Sequence, residues 1–382
     1  MSMINYHKQA ILLTAKMLSG IINKSKGVQI MKKVLKRTVV ILSVFLIVSF
    51  VIAYVITSKE MSKSFGRGDY PDSSMAATWF YDHYENEYPR EEVSFKSGDN
   101  TLKGYIYGMD NDRGLIVFAH GIGSGHEMYL SLITRLVDCG WRVFAYDATG
   151  SGYSEGKGTK GLAQSVLDLD NALSYAEEDA RLKILDKYVL GHSWGGYAAA
   201  AVLNFDHDVK ASITMSGYNT PYEELSETCE RRFGGWSKLL NPVVWLYNKI
   251  EFGSNSSISA VDGINKSGIP VLVLHGDDDD VIDYNGAAII AHKDEITNPN
   301  AEYKVFDEEG RNGHNSYFYT PEYKKYKEEF ITPKRDELEE KYGEDIPDEE
   351  YIRFVDMIDK ELYNGTDDGL VELIDDFFGK NA

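Results

Sequence analysis

The chain has 382 residues, of which 43% are hydrophobic and 12% aromatic, enough to build one large globular core with further segments. Its net charge is −20, but residues 1–63 hold ten basic residues against one acidic residue, so the remaining 30 basic and 59 acidic residues give the rest of the chain −29. A protein region this acidic repels polynucleotides, which excludes a nucleic-acid partner. The chain has two cysteines, too few for a disulfide framework or for a zinc site built from cysteines.

Residues 1–38 form a basic segment in front of a long apolar run. Residues 4–22 are typical of a weakly amphipathic basic helix. Residues 31–37 resemble a second beginning, because a methionine and four basic residues directly precede the apolar run. Either Met31 is the natural start and residues 1–30 are an upstream extension, or residues 1–30 form a helix on a membrane surface.

Residues 39–57 are predicted to be an uncleaved signal anchor that crosses a membrane once. The eighteen residues from Val39 to Ile56 are apolar apart from two serines and a tyrosine. At ~1.5 Å per residue they nearly span a bilayer core. No Ala-x-Ala cleavage site follows, which favours an anchor over a cleaved signal peptide. The positive-inside rule then places the N-terminus in the cytoplasm and the chain after about residue 58 outside the cell membrane.

Residues 58–90 are predicted to be a tether, and residues 91–217 to form the first part of an α/β domain. A β-hairpin at 93–107 is followed by strands that alternate with helices, which implies a mostly parallel sheet with right-handed crossovers. The strands are predicted at 115–119, 141–146, 185–190 and 211–215, and the helices at 127–139, 162–178 and after residue 197.

Residues 218–267 break this alternation and are rich in aromatic residues. We interpret them as a helical lid inserted over the sheet. The core resumes over residues 268–320, with strands at 269–274 and 302–306 and a helix at 285–296. Residues 321–382 form an acidic region with nine basic and twenty acidic residues. Its charge is interpreted as a solvated face, and helices are predicted at 349–362 and 369–378.

The pentapeptide Gly191-His192-Ser193-Trp194-Gly195 makes Ser193 the candidate nucleophile. An apolar strand precedes the motif, and a helix of small residues follows it. A sharp strand-to-helix turn in this setting exposes the serine hydroxyl, and glycine tolerates the crowding on either side. The alternative is an ordinary turn with a helix-capping serine.

A serine nucleophile needs a base and an acid that orients the base. His314 is the predicted base, since it lies in a loop just past the last predicted strand. The acid should end a strand between the serine and the histidine. Four consecutive aspartates follow residue 276, and Asp279 is preferred, with Asp280 and Asp278 as alternatives. A calcium site competes for this run, but the spaced ligands and glycine of an EF-hand loop are missing.

Two backbone N–H groups should bind the oxyanion of an acyl-transfer reaction. One is predicted at Trp194, directly after the nucleophile, and the other at Ile122, in the glycine-rich loop 121–125. A phosphate cradle is the alternative for this loop. The loop lacks both the Gly-Lys-Ser/Thr ending of a P-loop and a Gly-x-Gly-x-x-Gly opening, so we expect no cofactor. We expect no metal ligand either.

Together these motifs resemble the α/β-hydrolase superfamily, in particular the branch that joins monoacylglycerol lipase-like esterases and serine aminopeptidase-like members. The resemblance covers about residues 91–316. It implies an eight-stranded, mostly parallel sheet with helices on both faces. It also implies an acyl-enzyme mechanism in which Ser193 attacks a carbonyl while His314 takes its proton. The motifs that carry it are 120–123, 147–156, 191–195, 274–281 and 313–315.

The predicted function is a membrane-anchored serine hydrolase that cleaves carboxylic esters. The aromatic insertion favours lipid-derived esters, because an apolar lid suits acyl chains. One alternative is a serine peptidase of the aminopeptidase-like type. A non-catalytic surface-binding protein on the same scaffold is the other. The sequence leaves the oligomeric state open. A peptidase would need acidic side chains for the substrate amine, and the insertion offers Glu223, Glu224, Glu227 and Glu230.

Overall fold

The computed structural model describes residues 3–123, 125–343 and 345–382. The chain divides into two compact units, Met1–Ser58 and Lys59–Ala382. The described part of the first unit is helical and belongs to helix α1, Met3–Ser64. Within α1, the segment Val28–Ser64 is long and apolar enough to cross a membrane, and it contains the predicted anchor at 39–57.

The second unit is built on one eight-stranded sheet. Its strands are β1 (Arg90–Ser97), β2 (Asn100–Tyr107), β3 (Leu115–Ala119), β4 (Arg142–Tyr146), β5 (Lys187–His192), β6 (Val209–Met215), β7 (Val271–Gly276) and β8 (Ala301–Phe306). They lie in the order β1-β2-β4-β3-β5-β6-β7-β8. β1 and β2 form the predicted hairpin, and β2 also pairs antiparallel with β4. All other neighbours pair parallel, which confirms the predicted α/β-hydrolase sheet.

Helices cover both faces of the sheet. The α-helices after α1 are α2 (Tyr81–Tyr84), α3 (Leu130–Asp138), α4 (Gln164–Glu178), α5 (Trp194–Ala201), α6 (Pro221–Phe233), α7 (Ser237–Phe252), α8 (Ala260–Ser267), α9 (Pro321–Tyr326), α10 (Thr332–Tyr342), α11 (Asp348–Asp356), α12 (Lys360–Tyr363) and α13 (Asp368–Gly379). Short 3-10 helices lie at Ser73–Met75, His126–Tyr129, Val202–Asn204, Gly234–Trp236, Gly253–Ser257, Ile289–His292 and Ser316–Phe318, and a π-helix lies at Lys327–Ile331.

The apolar character of strand β3 follows from this layering. Leu115, Val117 and Ala119 belong to the core cluster that also holds residues of α4, α5 and α8. Ile116 and Phe118 point the other way, into the cluster with α3 and α13. Because alternate residues of a strand face opposite sides, a strand covered on both sides is apolar at every position.

The predicted helix at 285–296 is wrong. These residues form turns and the short 3-10 helix Ile289–His292. The carboxylate of Glu227 accepts hydrogen bonds from the backbone N–H groups of Asp283 and Ala287, at 2.9 and 2.6 Å. The N–H of Ile289 donates to Gly217 O. These tertiary hydrogen bonds use backbone groups that a continuous helix would pair internally.

The predicted helix at 349–362 is also interrupted. It forms as α11 and α12, and between them the Asp359 side chain accepts a hydrogen bond from the N–H of Leu362, which caps the start of α12. The helix predicted at 369–378 forms as α13.

The insertion is shorter than the predicted range 218–267. Helices α6 and α7 form a hairpin outside the regular crossovers, but α8 packs on α5 in the main core, with Ala260 and Ile264 fully buried. A Cβ on Gly263 would collide with the carbonyl oxygen of Ala200, so the two helices approach closely. Helix α8 is therefore the crossover helix between β6 and β7, and it follows the insertion.

We call the second unit, Lys59–Ala382, the body. The predicted tether at 58–90 is wrong as well, since its residues pack against the rest of the body. Phe65 is buried in the core. The Arg67 guanidinium donates to the carbonyl oxygens of Ser154 and Gly156, at 2.7 and 3.1 Å, and to that of Gly152. Ala77 lies in a small apolar cluster with residues of α11. We call residues 65–80 the strap.

Glu224 makes the stability of the insertion depend on pH. Burial raises the pKa of Glu224 from 4.5 to about 8. The folded state holds this proton more tightly than the unfolded state. The contribution of Glu224 to the free energy of unfolding is therefore fully present below pH ~4.5 and is lost as the pH rises towards about 8. Glu224→Gln should therefore gain stability relative to wild type over this range, by a few kcal/mol at most. Unfolding midpoints between pH 4 and 9 test this, with exposed Glu230→Gln as control. An unchanging difference would contradict it.

Candidate active site

Ser193 lies at the sharp turn between β5 and α5. Its backbone has φ +57° and ψ −116°, a conformation strained for a residue with a side chain. A Cβ on Gly191 would collide with the carbonyl of Gly195, and one on Gly195 would collide with the carbonyl of Ala119. The glycines of the motif are thus required by close backbone contacts, and the turn holds the Ser193 hydroxyl at the carboxyl end of the parallel strands.

The structure brings the three predicted residues of the triad together. Ser193 follows β5, Asp279 follows β7 and His314 follows β8. The distance from His314 Nε2 to Ser193 Oγ is 2.9 Å, and His314 Nδ1 lies 2.8 and 3.0 Å from the two carboxylate oxygens of Asp279. All three residues are buried. In this geometry the histidine can take the serine proton while the carboxylate orients its ring.

The surroundings of Asp279 keep its carboxylate ionised. Burial, the largest single effect, raises its pKa, but hydrogen bonds from His275, His314 and the backbone together bring the pKa well below its usual range. The N–H groups of Val281 and Ile282 both donate to Oδ1, at 2.9 Å. The alternatives Asp278 and Asp280 are exposed, so the fold singles out Asp279 from the run of four.

The predicted oxyanion residues lie beside the serine. Ile122 and Gly121 line the same cavity as Ser193 and His314. Trp194 is the first residue of α5, so its backbone N–H has no acceptor within the helix. Its indole donates to Leu162 O at 2.8 Å, which fixes the start of α5. Ser124, in the loop of Ile122, lies outside the described residues.

The sequence did not predict the roles of His192 and Tyr129. These two residues connect this loop to the strand-to-helix turn at Ser193. The Tyr129 hydroxyl accepts from the N–H of Gly121 at 3.1 Å and lies 2.8 Å from His192 Nδ1. His192 Nε2 lies 3.1 Å from the carbonyl oxygen of His314. Burial, helped by His314, lowers the pKa of His192 to about 3, so the ring is neutral at pH 7. A neutral ring with its proton on Nε2 satisfies both contacts, and His192 lines the same cavity as Ser193.

A cavity of about 500 Å³ opens beside Ser193. Among the described residues that line it there is no Asp, Glu, Lys or Arg, and none belongs to the insertion. The predicted lid, residues 218–267, thus supplies none of the described cavity wall. The acidic C-terminal region forms part of the cavity wall instead of being only a solvated face. Its contribution comes from Tyr323, Tyr363, Asn364, Gly365 and Thr366.

Behind the cavity, the strap holds the turn at Asp147 and the end of the loop 121–125. The Tyr70 hydroxyl donates to Asp147 Oδ1 at 2.7 Å. The same oxygen accepts from the N–H of His126 at 3.0 Å, and His126 Nδ1 lies 2.8 Å away. Burial alone would raise the pKa of Asp147, but His126 and the hydrogen bonds lower it to about 2. A Cβ on Gly125 would collide with the Tyr70 hydroxyl, so strap and loop are in close contact.

Removing this hydroxyl should destabilise the folded body. Tyr70→Phe takes one donor from a buried carboxylate, and we expect a loss of about 1.5–3 kcal/mol in the free energy of unfolding. Urea unfolding of the two proteins measures the difference. Tyr153→Phe, at an exposed tyrosine packed on the Tyr70 ring, is the matched control and should stay near wild type. Equal stability of all three proteins would contradict a stabilising role of the strap.

Comparison with known proteins gives one family match, over residues 110–260, to the family described as serine aminopeptidase, S33. That match includes Ser193 but neither Asp279 nor His314. Monoglyceride lipase of Saccharomyces cerevisiae is 24% identical over 135 residues, which cover 33% of this chain and 42% of the relative. The uncharacterized protein YfhR of Salmonella typhi is 24% identical over 205 residues, 50% of this chain and 65% of the relative.

The chain therefore spans less than two thirds of the length of either curated relative. Among solved structures, an esterase of Pyrococcus furiosus superposes with a TM-score of 0.51 at 18% identity. The superposition covers 70% of this chain and 98% of the esterase. At this identity the likeness concerns the fold.

Proposed function

The chain belongs to the α/β-hydrolase superfamily, and from that premise we propose that it is a serine hydrolase of carboxylic esters with Ser193, His314 and Asp279 as its triad. One observation carries the proposal. The serine hydroxyl, the imidazole and the carboxylate form a continuous chain, with 2.9 Å from Oγ to Nε2 and 2.8 Å from Nδ1 to the carboxylate. An unreactive serine has no need of such a base.

The proposed reaction has two halves. Ser193 Oγ attacks the ester carbonyl carbon and its proton passes to His314 Nε2. The backbone N–H groups of Ile122 and Trp194 stabilise the oxyanion of the tetrahedral intermediate. His314 then gives the proton to the leaving alcohol as the C–O bond breaks, which leaves Ser193 acylated. Water, deprotonated by His314, then attacks the acyl carbon. The bond between that carbon and Ser193 Oγ breaks, the acid is released and His314 returns the proton to Oγ, while Asp279 stays ionised and holds the imidazole in place.

The uncharged cavity favours esters over peptides with a free amino terminus. Recognition of a substrate amine would require a carboxylate in the cavity, and the described lining has none. Two of the glutamates of the insertion, Glu224 and Glu227, make hydrogen bonds outside the cavity. Glu224 accepts from the Thr228 hydroxyl at 2.9 Å, and Glu227 binds the backbone at 283–287. Apolar side chains at Ile122, Met128 and Leu132 suit an acyl chain.

Steady-state rates on two substrate series test the choice of ester. We expect turnover of p-nitrophenyl acyl esters, with kcat/KM rising with chain length until the cavity is filled. Aminoacyl p-nitroanilides should show no turnover above that of Ser193→Ala. Faster cleavage of the anilides would contradict the ester assignment, and a flat response to acyl length would contradict the cavity as the acyl site.

We further propose that residues 39–57 anchor the chain in the cell membrane, with the N-terminus in the cytoplasm and the catalytic body outside. Support comes from the continuous apolar helix and from the basic residues in front of it. Protease added to intact cells should degrade the body, while a cytoplasmic marker protein survives. Protection of the body until the cells are lysed would contradict this topology.

A further inference from the structure

Helix α7 of the insertion has an unusual outward face. A surface helix normally presents polar residues to water. Here the outward positions carry Leu239, Trp245 and Ile250, which are 69%, 53% and 57% exposed. Just before the helix, Trp236 is 75% exposed and Phe233 is also exposed. We call these five side chains the apolar patch.

The charged residues within 231–250, the segment that holds the apolar patch, are all basic, and the exposed Glu230 and Glu251 border this segment. Lys238 and Lys249 flank Trp245 on the same face of α7, at i−7 and i+4. Residues 231–250 contain four basic residues and no acidic one, whereas residues 64–382 carry −29. An anionic surface repels the body as a whole and attracts this basic segment, which favours an orientation of the body with the patch towards that surface.

We propose that the apolar patch lies in the interface of the bilayer to which the chain is anchored, with Arg232, Lys238 and Lys249 on anionic lipid headgroups, while Arg231 pairs with Glu224 and Glu227 of the insertion. Tryptophan and phenylalanine prefer the boundary between headgroups and acyl chains, and lysine can extend its charge outward from a buried stem. The inference rests on the proposed membrane anchor. It goes beyond it, because it gives the catalytic body a second contact with the lipid.

Along the chain, the body begins a few residues after the predicted anchor. Ile56 ends the predicted span, and Met61 and Phe65 already pack against the core of the body, so only a few residues separate anchor and body. A bilayer is also a better occupant than a second copy of the chain. In a two-fold dimer the same patch would face itself and bring Arg232, Lys238 and Lys249 against the same three cations of the second copy. The patch is not a wall of the substrate cavity either, since no described residue of the insertion lines it.

Tryptophan quenching by lipid can test the contact in the full chain. The chain has five tryptophans. Trp141 and Trp194 are buried, Trp79 is half-buried, and the helix that holds the anchor contains none. The full chain is reconstituted into vesicles of phosphatidylcholine and phosphatidylglycerol, with or without bromine on the acyl chains. Bromine quenches only the tryptophans that touch the lipid.

We expect brominated lipid to remove up to about two fifths of the emission, because two of the five tryptophans lie in the patch. Trp236→Phe/Trp245→Phe should abolish the quenching, and Lys238→Glu/Lys249→Glu should weaken it in the anionic vesicles. Equal emission with and without bromine, or undiminished quenching of the double tryptophan variant, would overturn the inference. So would a blue-shifted emission that bromine does not quench, since it would indicate a contact between proteins.

Anchor, patch and catalysis are read out separately. Resistance of the reconstituted chain to alkaline carbonate extraction measures the anchor. Extraction by carbonate would contradict the anchor and, with it, the inference. An anchored chain without quenching would contradict the patch alone. Ester hydrolysis in detergent measures the triad, and none of the patch substitutions should change it.

Discussion

Replacing Ser193 by alanine should lower kcat on a p-nitrophenyl ester by about a million-fold. Without the hydroxyl no acyl-enzyme forms, and the residual rate over water comes from the oxyanion N–H groups and substrate binding alone. Because Ser193 is buried and only one oxygen is lost, we expect the fold to persist, and unfolding in urea checks this. The φ of +57° at this position is retained in the variant, so any change in stability should be small.

Ser257→Ala is the matched control. Ser257 is an exposed serine after α7, and its hydroxyl bonds only locally, to Ser254 O at 3.0 Å. This variant should keep wild-type activity. A Ser193→Ala protein that retains about a hundredth or more of the wild-type kcat, after exclusion of contaminating esterase, would contradict the nucleophile assignment.

Replacing Asp279 by asparagine should lower kcat by about 10⁴-fold with the triad geometry otherwise kept. An amide cannot hold the imidazole in the tautomer that accepts the serine proton, nor stabilise the imidazolium that forms. The carboxylate also accepts two backbone N–H groups and lies 3.1 Å from His275 Nε2, so part of the effect arises from a weaker turn.

The neighbouring Asp280→Asn is the control for the aspartate run. Asp280 is exposed, and its substitution should leave kcat and KM within about twofold of wild type. Equal losses in the two variants would remove the assignment of Asp279. The difference between the two variants therefore tests which aspartate of the run orients His314. The sequence left this choice open, and the burial of Asp279 favours Asp279.

The sheet and the placing of Asp279 and His314 beside Ser193 were predictable because their signals are local. Apolar runs such as Leu115–Ala119 reflect burial on both faces, and a residue that directly follows a parallel strand is placed at one edge of the sheet by topology alone. The glycines at 191 and 195 indicate the sharp turn at Ser193, because the neighbouring backbone leaves no room for a side chain at either position.

The errors have a common physical cause, contacts between residues distant in sequence. Glu227 holds residues 283–287 in turns where the local pattern favoured a helix. Arg67 fastens the strap through carbonyl oxygens, which any sequence can supply. Part of the cavity wall comes from Tyr323 and Tyr363 in a charge-rich region, and the aromatic insertion that resembled a lid supplies none of the described wall. No periodicity or motif reports such pairings.

Covalent labelling by a fluorophosphonate is the most direct test of Ser193 as an activated nucleophile. The probe reacts with a serine only when a base has activated it, as Ser193 Oγ displaces fluoride from phosphorus. Full-length protein in detergent is labelled, digested and sequenced by mass spectrometry. We predict one adduct, on the peptide that contains Ser193, and its loss in His314→Ala. No labelling of wild type, an adduct on another serine, or undiminished labelling of His314→Ala would contradict it.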